Sequence, residues 1–193
     1  MLGEAFEPAL HAAQGGAEWA WSRLYEDLSP QVLGYLRGHG AREPEDLLGE
    51  TWLQVARNIS GFRGGEGEFR AWVFTIARHR LVDERRYLSR RPQSHVDRVP
   101  EDSVIVEDIA GRAIDTMAGE QIRGLLDRLT PDQRDVLMLR ILGGLTIPEI
   151  STAMGKRVGA VKQLQRRGLL ALVALAEKEG VPLGSFSSVT GVT

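Results

Sequence analysis

From Pro92 to about Gly119 the chain abandons the helical spacing of apolar residues that governs the rest of it, and reads PQSHVDRVPEDSVIVEDIAGRAIDTMAG. Pro92 and Pro100 interrupt backbone pairing, while Asp97, Glu101, Asp102, Glu107 and Asp108 repel one another, which favours a solvated acidic tether over a packed element. A short strand at residues 104–106 is the alternative. The lapse divides the chain into a first unit at 1–91, a linker at 92–119, a second unit at 120–178 and a small, polar tail at 179–193, expected to fray.

Both flanking blocks read as helix, so the expected fold is all-α, with two small helical domains. In the first block, from about residue 17, apolar residues recur as Trp19, Leu24, Leu28, then Val32, Leu33, Leu36, then Leu47, Leu48, Trp52, Val55. Ser29-Pro30 and Glu43-Pro44 have the form of helix starts, because proline in a first turn forgoes an N–H that would be unpaired there anyway. Gly38 to Gly40 and the run SGFRGGEG at 60–67 break the helices. In the second block, Thr130 stands three residues before Gln133 and Thr146 three before Glu149, the spacing of a capping box. Gly143-Gly144 and Gly155 are expected to end helices.

The 193 residues contain no cysteine, which excludes disulfides and thiolate metal sites. No apolar run approaches the length of a bilayer span, and the first residues lack the basic-then-apolar form of a secretory signal, so a cytoplasmic protein without membrane insertion is expected. Formal net charge is only −2, yet the charge is unevenly placed. Residues 57–98 hold ten arginines against five acids, and residues 151–176 hold five basic residues and no acid. Two basic islands in a mildly acidic chain are the localised footprint that phosphate contacts require.

The first island centres on residues 68–86, EFRAWVFTIARHRLVDERR. Phe69, Trp72, Val73 and Ile76 recur at i, i+3, i+4, i+7 and define an apolar face, while Arg70, Arg78, Arg80, Arg85 and Arg86 project elsewhere. Phe69 and Trp72 on such a face either pack in the core or meet a base directly. The second island fits a helix-turn-helix from Thr146 to Leu170. Ile150 and Ala153 point inward on a short helix, a turn follows at Gly155-Lys156-Arg157, and a second helix begins near Val158. Val161, Leu164 and Leu169 can pack back, leaving Lys162, Gln163, Gln165, Arg166 and Arg167 facing out, the residue types that pair with guanine and adenine edges in the major groove. A helical hairpin with a basic face is the alternative.

PEDLLGETWLQV at 44–55, GFRG at 61–64, FRAW at 69–72, IAR at 76–78 and Asp83 together resemble region 2 of bacterial RNA polymerase sigma factors of the extracytoplasmic-function (ECF) group. LTPDQRDVLMLRILGGLTIPEIS at 129–151 and VGAVKQLQRRG at 158–168 resemble region 4 of the same group. The likeness covers roughly residues 17–172, with both regions in the family's order. It implies that Asp46, Leu47, Glu50 and Gln54 dock on the clamp helices of core polymerase, whose flap is a further contact. It also implies that Phe62 lines a pocket for a base flipped from the minus-ten element, with Arg63, Arg78, His79, Arg80, Arg85 and Arg86 contributing contacts there. Arg157, Lys162, Gln163, Arg166 and Arg167 would meet the minus-thirty-five element. His79 stands where many members carry asparagine, and one extra residue separates Phe62 from Phe69, so the identity of the captured base is open.

By the same resemblance the acidic linker threads the polymerase's RNA channel, its carboxylates standing in for RNA phosphates; a plain tether is the alternative. Many ECF members are restrained by an anti-sigma partner, although no residue here requires one. The expected function is promoter recognition and melting in complex with core polymerase, with no catalysis and no cofactor or metal, since no nucleophile triad, phosphate-cradling loop or ligand spacing stands out among four histidines. The competing functions are a conventional helix-turn-helix regulator that binds duplex alone, and a hydrolase acting on nucleic acid.

Overall fold

The computed structural model describes residues 1–90 and 123–181; the stretch from 92 to 119, including the alternative strand at 104–106, lies outside the described residues, as does the tail from 182. Every regular element among the described residues is a helix. The first unit comprises α1 (Phe6–Gln14), α2 (Glu18–Gly38), α3 (Pro44–Asn58) and α4 (Glu66–Arg90), with short 3-10 turns at Gly3–Ala5 and Ile59–Gly61. The second holds a helical stretch at 123–127, then α5 (Pro131–Ile141), α6 (Ile147–Met154) and α7 (Val158–Glu179).

Local chemistry accounts for most boundaries. Pro44 opens α3 directly after Glu43, and Glu45 and Asp46 place negative charge at the positive end of its dipole. Thr130 Oγ1 accepts from the Gln133 N–H while Gln133 Oε1 accepts from the Thr130 N–H, so the capping box before α5 is closed on both sides. Glu149 accepts from the Thr146 N–H at 2.6 Å at the start of α6. Gly155 ends α6 at φ +62°, a left-handed conformation that costs a side-chain-bearing residue strain.

Two expectations need correction. Ser29-Pro30 does not open a helix but lies inside α2, which runs unbroken over 21 residues. Pro30 forfeits its bond to the Glu26 carbonyl, but Leu28, Val32, Leu36 and neighbouring Tyr35 are fully buried on both sides of it, and that burial carries the helix through. The second correction is α1, absent from the sequence reading, whose Phe6, Ala9, Leu10 and Ala13 are all buried.

In the first unit, Leu24, Leu28, Val32, Tyr35 and Leu36 of α2 share a core with Val55 of α3 and Val73, Phe74, Ala77 and Leu81 of α4. In the second, Val136 and Leu139 of α5 pack with Leu145, Ile150, Val161, Leu172 and Ala176. Gly168 lets α7 lie close on α5, since a Cβ there would stand 3.2 Å from Gln133 Cβ and 3.3 Å from Leu137 Cδ1. The units meet where α4 packs on α6 and α2 on α5.

Candidate nucleic-acid interface

The helix-turn-helix forms as its spacing predicts. Ile150 and Ala153 are buried on α6, and Val161 is buried at the start of α7 with Leu164 half-buried behind it. Arg157, Lys162, Gln163, Arg166 and Arg167 are all exposed. Arg157, Gln163 and Arg167 also line a shallow groove of about 370 Å³ together with Lys156, Ala160 and Leu164. Lys156 is braced by Asp132 at 2.9 Å, which ties the turn to the first turn of α5. The helix thus presents a row of guanidinium, ammonium and amide donors at a spacing suited to base edges and phosphates.

At the other basic island Phe62 follows the 3-10 turn after α3, half-buried, with its ring stacked on Trp72 at 5.1 Å between centroids and 21° between planes. Phe69 meets Phe62 edge-on at 5.4 Å. The two open readings of the helix aromatics therefore divide: Phe69 is core, while Trp72 is half-buried and forms the platform under Phe62. Arg63 is exposed and turns back on the loop, donating to the carbonyls of Ser60 at 2.8 Å and Phe62 at 2.6 Å. His79 is exposed one turn after Thr75.

The arginines of α4 do not form one free cationic face. Arg70 is buried and donates through Nε and Nη2 to the Gly143 carbonyl at 3.1 and 2.9 Å, because the glycine turn of the second unit lies over it. Arg78 donates to Asp135 of α5 at 2.9 Å. Arg80 donates to Gln54 at 3.2 Å and stands 3.8 Å from Glu50. Arg85, although exposed, donates to the His39 carbonyl at 2.7 Å. Arg86 is exposed, with only a loose pair to Asp83 at 3.7 Å. Periodicity places all five outside the apolar face; it cannot show that a second unit covers Arg70 and Arg78.

Asp135 is the polar centre of that junction. It accepts from the Tyr35 hydroxyl at 2.9 Å and from Arg78, and His39 Nε2 lies 2.8 Å away. His39 Nδ1 faces the Tyr35 carbonyl at 2.9 Å. Burial acts to raise the Asp135 carboxyl, but hydrogen bonding from His39 and the charges of His39 and Arg78 overcome it and hold the group at about 2. Burial, reinforced by Asp135, pushes the Tyr35 hydroxyl well above its ordinary range. Beside this cluster Gly38 admits Met138, whose Cε would lie 2.2 Å from any Cβ at that position.

On α3, Asp46 and Glu50 are exposed and Gln54 is half-buried, on one face as their spacing requires. Leu47 departs from expectation: only 8% exposed, it packs in the core and offers little to a partner. Leu53, 59% exposed on the same face, is the apolar residue available there, and its i+3 offset from Glu50 was the signal in the sequence. Tyr35, His39 and Asp135 were also missed, and nothing local marks them. Among the described residues no cluster of His, Cys, Asp and Glu could hold a metal ion, and no helix is long and apolar enough to cross a membrane.

Comparison with known proteins agrees with this architecture. The sequence pattern of Sigma-70 region 2 matches residues 24–91, and that of Sigma-70, region 4 matches residues 119–172. The chain is 33% identical over 174 residues to the ECF RNA polymerase sigma factor BldN of Streptomyces coelicolor, covering 84% of this chain and 62% of that longer relative. It is 33% identical over 182 residues to the ECF RNA polymerase sigma factor ShbA of Streptomyces griseus, covering 88% of this chain and 94% of the relative. Among solved structures, CnrH in complex with the cytosolic domain of CnrY has the same fold, with a TM-score of 0.64 at 20% identity over 88% of this chain and 96% of that one. RpoE in complex with the anti-sigma factor NepR from Bartonella quintana gives 0.63 at 18% identity over 81% and 96%. With both regions present in order and a relative matched over nearly its whole length, the chain belongs to the ECF RNA polymerase sigma factors.

Proposed function

We propose that this chain binds core RNA polymerase, reads a minus-thirty-five element with α7, and melts the minus-ten element by trapping a flipped base against the Phe62 loop. One observation carries the reading: a single chain joins a helix-turn-helix whose Lys162, Arg166 and Arg167 are exposed to a unit whose Phe62 and Trp72 rings stack in a glycine-flanked loop. Asp46, Glu50, Gln54 and Leu53 form the polymerase-facing patch, with the flap as a second contact for the helix-turn-helix unit. Arg63, His79, Arg80, Arg85 and Arg86 supply phosphate or base contacts at the minus-ten element. Stacking on an extruded base is worth about 1–3 kcal/mol, comparable with the cost of unstacking it.

The junction around Asp135 parts during this work. Elements centred ~25 base pairs apart are separated by roughly 85 Å along duplex DNA. A compact chain of this length has a radius of gyration of about 16 Å and cannot reach both. Opening breaks the Arg78 pair with Asp135 and frees Arg78 for the minus-ten element. Restraint by an anti-sigma partner is part of this reading, RpoE of Bartonella quintana having been solved with the anti-sigma factor NepR.

In vitro transcription from genomic fragments tests the reading. Core polymerase with this protein is expected to initiate at a discrete set of promoters, and the protein alone to give no specific duplex footprint. A specific footprint without polymerase would favour a conventional helix-turn-helix regulator.

A further inference from the structure

Gln14 lies ten residues before the stretch that matches Sigma-70 region 2, yet it reaches into the loop that carries Phe62. It is the last residue of α1, and its side-chain amide donates to the carbonyls of Ile59 at 2.9 Å and of Phe62 itself at 3.0 Å. An amide NH₂ has two hydrogens, so this donor is fully used, one hydrogen on each end of the turn. The far side of the loop is held by the same N-terminal segment, because the Leu2 and Gly3 N–H groups donate to the Glu66 carboxylate at 2.7 and 3.1 Å in the first turn of α4. Between these anchors Phe6 of α1 packs on Phe69 at 5.5 Å, which in turn backs Phe62.

The loop needs an external brace. Gly61, Gly64, Gly65 and Gly67 give it many backbone conformations, and Gly64 occupies φ +149°, a region that side-chain-bearing residues rarely adopt. A loop ordered before its ligand arrives does not lose that freedom on binding, and the gain appears as affinity. A bond to the backbone of Phe62 fixes where its ring stands over Trp72.

We propose that Gln14 is a positioning residue for base capture, holding the Phe62 backbone so that the ring is presented to the extruded base. The inference rests on the reading of Phe62 given above, and the test separates the two. Holoenzyme assembled with the full chain is mixed with a promoter carrying 2-aminopurine at successive non-template minus-ten positions, and the fluorescence rise on base extrusion is followed in time. Gln14→Ala, and Gln14→Glu, which keeps the size but removes both donors, are expected to slow the rise about tenfold or more, the scale of the two hydrogen bonds lost, with affinity for core polymerase unchanged. In the double variant with Phe62→Ala, the Gln14 substitution should add no further loss, because both act at one ring. Wild-type kinetics in both Gln14 variants, with Phe62→Ala slow, would overturn the brace and leave the Phe62 reading standing. Additive losses would overturn it equally, assigning Gln14 to general stability. Wild-type kinetics in Phe62→Ala would overturn both.

Discussion

Arg78 and Asp135 meet at 2.9 Å across the junction of the two helical units, with Tyr35 and His39 on the same carboxylate. Asp135→Ala removes the carboxylate that accepts from both the Tyr35 hydroxyl and Arg78 Nε, in a largely buried setting. Loss of one partner from such a cluster is expected to lower the unfolding free energy by about 2–4 kcal/mol. Asp135→Asn keeps an acceptor for the Tyr35 hydroxyl and should cost less. Urea denaturation reads the loss, and small-angle scattering should show a larger radius of gyration as the units separate. An unchanged midpoint and radius would mean that the junction does not depend on this carboxylate.

The same residue sets an acid limit. Its carboxyl is held at about 2 against an ordinary 3.8, so the stabilisation it provides is fully present above pH 3.8 and is lost as pH falls through about 2. The difference corresponds to about 2–3 kcal/mol. Stability measured between pH 5 and 2 should therefore fall less steeply in Asp135→Asn than in the parent protein. Parallel curves would place the acid-labile carboxylate elsewhere.

What the sequence revealed and what it hid follow from the range of the forces involved. Pro44, the Thr130 and Thr146 caps and Gly155 are recognisable because each acts within one helical turn. Ser29-Pro30 carries the same local mark as Glu43-Pro44, yet buried Leu28 and Val32 outweigh it, and burial is a tertiary quantity. α1 was legible in principle, through the i, i+3, i+4, i+7 spacing of Phe6, Ala9, Leu10 and Ala13. Of the outward face expected on α7, Lys162, Gln163, Arg166 and Arg167 are exposed and Gln165 is half-buried, and that much was legible because these residues share one helix. The junction was not, because Tyr35 and Asp135 are 100 residues apart in the chain and Arg78 and Asp135 are 57 apart. A single sequence gives a helix its faces but not the neighbour that covers one of them.

Leu47 and Leu53 separate folding from docking on α3. Leu47→Ala creates a cavity in the core and should cost about 2–4 kcal/mol in stability. Leu53→Asp changes an exposed side chain, so thermal stability should stay within about 0.5 kcal/mol of the parent while affinity for core polymerase drops at least tenfold. Asp46→Arg on the same face should act in the same direction. Fluorescence anisotropy of labelled protein titrated with core polymerase measures both. Full affinity in Leu53→Asp and Asp46→Arg would move the polymerase-facing patch off α3.

Lys162 and Arg166 test the opposite end of the molecule. Both are exposed on α7, one turn apart, and their loss removes no packing, so the fold and the affinity for core polymerase should be unchanged in the Lys162→Ala, Arg166→Ala double variant. If both meet phosphates, the slope of log K against log salt for holoenzyme binding to promoter DNA should shrink by about 1.8, at about 0.9 for each phosphate no longer neutralised. If one of them instead pairs with a base edge, the slope changes by only half as much, and about 1–3 kcal/mol of discrimination disappears at one position of the minus-thirty-five element. Binding to single-base promoter variants at several salt concentrations distinguishes these outcomes. Parental affinity and slope, with undiminished transcription, would remove α7 from the DNA interface.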